Sequence, residues 1–86
     1  MSLIYKNFAG EIMIDLILDA KHLRCPEPII LLVRTLRNFP SGTIVELHAR
    51  DVVFRPDVMA WIKMTKNKLL KFEQRPDYEV ATIKKK

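Results

Sequence analysis

Residues 23–36 read LRCPEPIILLVRTL, a short motif with two prolines followed at once by an apolar run. The apolar run contains one stripe at helical spacing, made of Ile29, Leu32, Val33 and Leu36. Two prolines suit the first turn of a helix, where backbone N–H groups have no intrahelical partner. The stretch therefore predicts that a loop ends and a helix begins at Cys25, with Cys25 as N-cap and Pro26 as the first helical residue.

Alternating apolar residues on both sides of this helix predict strands. Residues 12–18 place Ile12, Ile14, Leu16 and Leu18 on one side, and residues 43–49 alternate in the same way. A second helix is predicted to begin near Arg55-Pro56-Asp57, with Asp57 as its N-cap. Its inward stripe comprises Val58, Trp61, Ile62 and Thr65. Met59 and Met64 are assigned to packing, with partner contact as the alternative. Residues 68–74 and 78–83 complete the pattern as a hairpin.

The order β-α-β-α-β-β predicts an α/β (α+β) two-layer sandwich, with a four-stranded mixed sheet and two helices on one face. The chain of 86 residues is long enough for one domain, which we assign to residues 1–86. Within it, residues 1–11 are interpreted as an extra strand or a flexible N-terminal extension.

A single cysteine excludes an internal disulfide and any multi-cysteine metal centre within one chain. We expect no metal and no other cofactor, because Cys25, His22 and His48 show no recognised ligand spacing. The longest aliphatic run, residues 29–33, is far shorter than the ~20 residues of a spanning helix. The N-terminal residues also lack the apolar core of a signal peptide. These features predict a cytoplasmic protein whose thiol is reduced.

The net charge of +5 is concentrated near the C-terminus. Residues 1–61 carry seven basic and seven acidic side chains, whereas residues 62–86 carry eight basic and three acidic ones. The basic segment is consistent with docking to RNA or to an acidic protein. It is also typical of solvated lysines that keep a small protein in solution, and we favour that interpretation because no arginine–aromatic pattern or RNA-binding signature accompanies the charge.

The position of Cys25 makes it the candidate reactive group. A loop that follows a strand of such a sheet emerges beyond the carboxyl end of the strand, where ligands tend to bind. At the start of a helix the macrodipole is expected to lower the pKa of a thiol, and the nearby Glu27 charge is expected to raise it again. We therefore expect Cys25 to be a mild nucleophile, able to accept a group and release it. His22, three residues earlier, is interpreted as an exposed loop residue, with a role in stabilising the thiolate as the alternative.

The motif Leu23-Arg24-Cys25-Pro26-Glu27-Pro28, preceded by Leu18-Asp19-Ala20, resembles the Cys-Pro-x-Pro signature of the TusA/SirA family of small sulfur carriers. The resemblance extends from about residue 14 to the end of the chain. It implies that Cys25 receives a sulfane sulfur as a persulfide and that Pro26 and Pro28 shape its loop. Arg24, Pro26, Glu27 and Pro28 are then the residues that a partner contacts.

The resemblance also implies partners. The sulfur donor is a cysteine desulfurase or a rhodanese-type protein, and an acceptor protein takes the sulfur onward in tRNA thiolation, molybdenum-cofactor biosynthesis or sulfur metabolism. The chain is thus predicted to be a sulfurtransferase-like carrier rather than a stand-alone enzyme. A hydrolase would need a base, an orienting group and an oxyanion hole around Cys25. The alternative is a binding or regulatory module that docks RNA or an acidic protein through residues 62–86.

Overall fold

The computed structural model describes residues 13–86 of the chain. Its elements follow in the order β1 (Leu16–Ala20), α1 (Glu27–Leu36), β2 (Ile44–Ala49), α2 (Phe54–Thr65), β3 (Lys68–Gln74) and β4 (Glu79–Lys84). Neither helix is long and apolar enough to cross a membrane within this described part of the chain. The interpretation of residues 1–11 as a strand or an extension lies outside the described residues.

The four strands form one mixed sheet in the order β1-β2-β4-β3. β1 and β2 are parallel, and β4 runs antiparallel to both β2 and β3. A mixed four-stranded sheet with two helices confirms the predicted fold class. Since the two parallel strands end at the same edge of the sheet, the loops that follow them emerge together.

Two elements begin more than one residue away from their predicted start. β1 begins at Leu16 instead of residue 12, because its ladder with β2 starts at the pair Leu16 and Val45. α2 begins at Phe54, before the predicted start, because the Phe54 N–H donates to the Asp51 carbonyl and its ring is fully buried. Asp57 therefore lies inside the first turns of α2 instead of capping it.

The core lies between one face of the sheet and both helices. The sheet contributes alternate residues of β1, β2 and β4, and the helices contribute Leu32, Leu36, Phe54 and Val58. Leu16, Val45 and Ile83 are adjacent in the strand register, so they point to the same face. The assignment of Met59 and Met64 to packing is wrong, because their side chains are 47% and 82% exposed.

The other face of the sheet carries a polar network. The His48 ring lies 3.0 Å from Glu46 Oε1 and stacks on Tyr78 at a centroid separation of 5.3 Å. Lys21 Nζ lies 4.7 Å from the centre of the same Tyr78 ring. The sequence suggested a surface position for His48, but only 13% of its side chain is exposed because Tyr78 covers it.

A lysine from the end of the sheet closes the carboxyl end of α1. Lys85 Nζ donates to the carbonyl oxygens of Leu36 and Phe39, at 2.6 Å in both cases. Terminal helix carbonyls lack intrahelical partners and carry partial negative charge, so an ammonium group is a favourable partner for them. The contact joins residues 46 and 49 positions apart, and it fixes the end of the helix to the sheet.

We expect a Lys85→Met variant to lose about 1.5–3 kcal/mol of unfolding free energy, the range for hydrogen bonds that involve a charged group. Methionine retains most of the apolar stem and removes only the ammonium group. Urea unfolding measures the change. The matched control is Lys63→Met, at an exposed position of α2, which should unfold at the same midpoint as the wild type. Equal loss in both variants would contradict the role of Lys85.

Candidate functional site

Cys25 lies in the loop that joins β1 to α1, at the edge of the sheet where the parallel strands end. Its side chain is half-buried and packs against the core, and its thiol is free. The Cys25 N–H donates to Asp51 Oδ2 at 3.2 Å. Because Asp51 follows β2, this hydrogen bond links the loops after the two parallel strands.

Asp51 also organises its own loop. Its second carboxylate oxygen, Oδ1, accepts the N–H of Val53 at 3.0 Å, and its carbonyl accepts the N–H of Phe54 at the start of α2. One carboxylate thus holds the backbone of Cys25 and the start of α2 in fixed relation. The intervening Val52 is 91% exposed, so an apolar side chain faces solvent in the same loop.

The electrostatic surroundings of the thiol differ from those expected. Burial, which is the largest cause, together with the hydrogen bond and charge of Asp57 and the charge of Asp51, raises the pKa of Cys25 from 9.0 to about 12. The expectation that the helix dipole lowers the pKa of the Cys25 thiol is therefore wrong. Cys25 precedes the N-cap, which is Pro26, so the dipole of α1 acts less directly than the two carboxylates.

The remaining motif residues divide between surface and core. Arg24, Pro26 and Glu27 are exposed around the thiol, whereas Pro28 is fully buried. Pro28 was predicted to contact a partner. Its ring is buried in the first turn of α1, so it is not available at the surface. His22 is exposed, as expected, and the groups that act on the thiol are Asp57 and Asp51 rather than His22.

Sequence reasoning missed both carboxylates of the site. Asp51 lies 26 residues and Asp57 lies 32 residues after Cys25, so only the parallel pairing of β1 and β2 brings them to the thiol. The one available signal was the position of Asp51 directly beyond the end of a predicted strand parallel to β1. Among the described residues, no group of three or more His, Cys, Asp or Glu side chains is arranged to hold a metal ion.

An Asp57→Asn variant is expected to alkylate faster than the wild type. Removing the charge should lower the pKa of Cys25 by about one unit while burial continues to raise it. The resulting tenfold gain in thiolate is offset by a roughly threefold loss of intrinsic nucleophilicity, which leaves a net increase of about threefold near neutral pH. Rates with iodoacetamide measure the effect.

The pH profile of alkylation provides the internal check. In the wild type the thiolate fraction should keep rising with pH towards about 12, beyond the ordinary thiol value of 9.0. Asp77→Asn removes an exposed carboxylate in the hairpin between β3 and β4 and should alkylate at the wild-type rate. A wild-type profile that levels off near 9 would show that the carboxylates do not act on the thiol.

The fold and the site together define a small α+β domain that presents one half-buried thiol between the loops of two parallel strands. The model of the sulfurtransferase TusA family matches residues 16–85. A sulfur carrier protein TusA of Pseudomonas putida is 32% identical over 72 residues, which are 84% of this chain and 90% of that protein. The chain therefore belongs to the TusA sulfurtransferase family, and the predicted resemblance is confirmed.

Other relatives differ in length. YrkI of Bacillus subtilis is 41% identical over 56 residues, which are 65% of this chain and 75% of that protein. A relative from Aquifex aeolicus is 34% identical over 71 residues, but this chain spans only 36% of its length. The names of both relatives describe sulfur carrier proteins. Family membership supports a sulfur carrier role for this chain, and such a role involves a sulfur donor and a sulfur acceptor.

Proposed function

We propose that Cys25 accepts a sulfane sulfur from a donor protein, holds it as a persulfide and passes it to an acceptor protein. The observation that carries this proposal is the placement of the free, partly accessible Cys25 thiol at the edge where β1 and β2 end. Membership of the sulfurtransferase family supplies the class of chemistry.

The transfer step is a displacement at sulfur. The Cys25 thiolate attacks the outer sulfur of a donor persulfide, the donor S–S bond breaks and the donor sulfur leaves as a thiolate. The proton given up by the Cys25 thiol ends on the departing donor thiol. Cys25 then carries the outer sulfur, and delivery repeats the same displacement, with the acceptor as nucleophile and Cys25 as leaving group. No net oxidation or reduction occurs.

The surroundings of Cys25 favour a carrier over an enzyme that holds its own substrate. A polar cleft of about 300 Å³ lies next to the site, lined by Arg50, Asp51, Val52 and residues 74–79, but Cys25 is not part of its lining. Exposed Arg24, Pro26 and Glu27 surround the thiol and are the residues that we assign to partner contact. A half-buried thiol that is flanked by exposed residues, and not enclosed in a substrate cleft, suits transfer between proteins.

The donor we propose is a cysteine desulfurase or a rhodanese-type protein, since both generate protein-bound persulfides. The acceptor is a second protein in tRNA thiolation, molybdenum-cofactor biosynthesis or sulfur metabolism. Both partners must reach the same sulfur, so they bind one after the other at this end of the molecule. The exposed side chains of Val52 and Val53 extend the contact surface with apolar area.

The test is loading of the intact chain by a panel of donors. Incubation with a cysteine desulfurase and cysteine, or with a rhodanese and thiosulfate, should add the mass of one sulfur atom, which a reductant removes. Protein blocked beforehand with iodoacetamide is the control and should gain nothing. The absence of a reducible adduct with every donor would overturn the proposal.

A further inference from the structure

Lysines gather at the end of the sheet opposite Cys25. β4 is antiparallel to β2, with Ala49 opposite Glu79 at one end and Ile44 opposite Lys84 at the other. Cys25 is tied to the end of β2 that follows Ala49, through Asp51. The five residue steps between Ala49 and Ile44 separate the two ends by roughly 16 Å along the strand.

These lysines surround one open concavity of about 440 Å³. Its lining comprises Ser41, Gly42, Lys66, Lys68, Lys84, Lys85 and Lys86, none of which has a carboxylate side chain. The ammonium group of Lys85 is engaged by the carbonyls at the end of α1. Lys66, Lys68, Lys84 and Lys86 are exposed, and we call these four the lysine end.

The positive charge of the lysine end is not balanced within residues 13–86. Salt bridges there involve Lys21, His48, Lys71 and Arg75 but none of the four lysines. Lys68 and Lys84 are directly opposite each other on the antiparallel strands β3 and β4, an arrangement that is repulsive for like charges. The free protein therefore carries an electrostatic penalty at this end, which an anionic partner would relieve.

We propose that the lysine end docks an acidic protein segment, a surface run of Asp and Glu side chains, while the Cys25 end stays free. Lysine ammonium groups are compact point charges that pair with separate carboxylates without a fixed geometry. The lining holds no aromatic ring and no arginine, the groups on which single-stranded nucleic acid stacks. The inference does not depend on sulfur transfer, because the two ends of the sheet are separate.

The experiment measures binding of a fluorescent polyglutamate peptide by anisotropy, at low salt and at the physiological ionic strength of about 0.15 M. The test variant is Lys66→Gln/Lys68→Gln/Lys84→Gln/Lys86→Gln. The matched control is Arg34→Gln/Arg50→Gln/Arg55→Gln/Lys71→Gln, at exposed positions outside the concavity. Each variant removes four positive charges from the net charge of +5, so a difference in binding between them reports where the charges lie and not the total charge.

We expect the wild type and the control variant to bind the peptide at low salt and to lose affinity as salt is added. The lysine-end variant should bind about tenfold more weakly than the control, since four exposed pairs each contribute a few tenths of a kcal/mol. Equal binding by the two variants, or no binding by the wild type at low salt, would overturn the proposal. Tighter binding of a mixed-sequence RNA than of polyglutamate would assign the surface to nucleic acid instead.

Two further measurements keep this inference distinct from sulfur transfer and from loss of fold. The lysine-end variant should load sulfur like the wild type if only docking is lost. A single Lys68→Gln change should raise the melting temperature at low salt and leave it unchanged at high salt, because it removes one member of the repulsive pair. A lowered melting temperature for Lys68→Gln would contradict the electrostatic penalty on which the inference rests.

Discussion

A Cys25→Ser variant is expected to take up no sulfur from any donor while it keeps the wild-type fold. Serine is close to cysteine in size, and its backbone N–H can still donate to Asp51 as that of Cys25 does. Its hydroxyl is not ionised at neutral pH and cannot form a persulfide. Since Cys25 is the single cysteine of the sequence, no other thiol can replace it. Mass spectrometry after donor treatment, with circular dichroism as the fold check, measures the result.

The matched control for this substitution is His22→Ala, which changes an exposed side chain of the same loop. It should load to the wild-type level, because the groups that act on the thiol are Asp57 and Asp51. A Cys25→Ser protein that still gains a reducible sulfur would disprove the assignment of the carrier residue. Reduced loading in His22→Ala would restore the alternative role of this histidine.

A Phe54→Ala variant is expected to lose about 3–5 kcal/mol of unfolding free energy, the range for removing a buried aromatic ring. The Phe54 side chain is fully buried at the start of α2, and its ring lies 5.9 Å from that of Phe72 on β3. A domain of this size has roughly 4–13 kcal/mol in total, so the loss is a large share of its stability. Chemical denaturation measures the change in unfolding free energy, and thermal unfolding does so if the variant is partly unfolded before denaturant is added.

Two comparisons isolate the effect of the Phe54 ring. Phe54→Leu retains most of the apolar volume and should lose clearly less stability than Phe54→Ala. Met59→Ala lies on the same helix, but its side chain is 47% exposed and its removal should have little effect. A Phe54→Ala protein as stable as Met59→Ala would show that the start of α2 does not anchor the core.

The sequence predicted the fold well because its apolar residues follow strand and helix periods closely. β3 has the predicted bounds, and β4 and β2 begin one residue later than predicted. The start of α2 was predicted less accurately. Asp57 has a side chain typical of an N-cap, but it lies about one turn after Phe54, where the helix begins. Burial of Phe54 decided the boundary, and burial depends on packing that local patterns do not encode.

The candidate reactive position, Cys25, was also proposed from the sequence, but the direction of its pKa shift was not predicted correctly. The position of Cys25 directly before a predicted helix indicated a candidate reactive thiol. The same position predicted that the helix dipole would lower its pKa. Burial is the largest cause of the raised pKa of its thiol, and the charges that add to it come from Asp57 and Asp51, which belong to a different helix and loop. The parallel pairing of β1 and β2 brings these carboxylates close to Cys25, and local sequence patterns do not predict which residues that pairing brings together.

The same two carboxylates have a consequence for how sulfur would be retained between encounters. In the proposed exchange the Cys25 thiolate is the attacking group during loading and the departing group during delivery. An environment that raises the energy of this thiolate raises both barriers, since a thiol of high pKa ionises less and leaves more slowly. We therefore expect the isolated protein to exchange sulfur slowly. A partner that places a cation against Asp51 and Asp57 would lower the pKa of Cys25 and speed both loading and delivery within the complex.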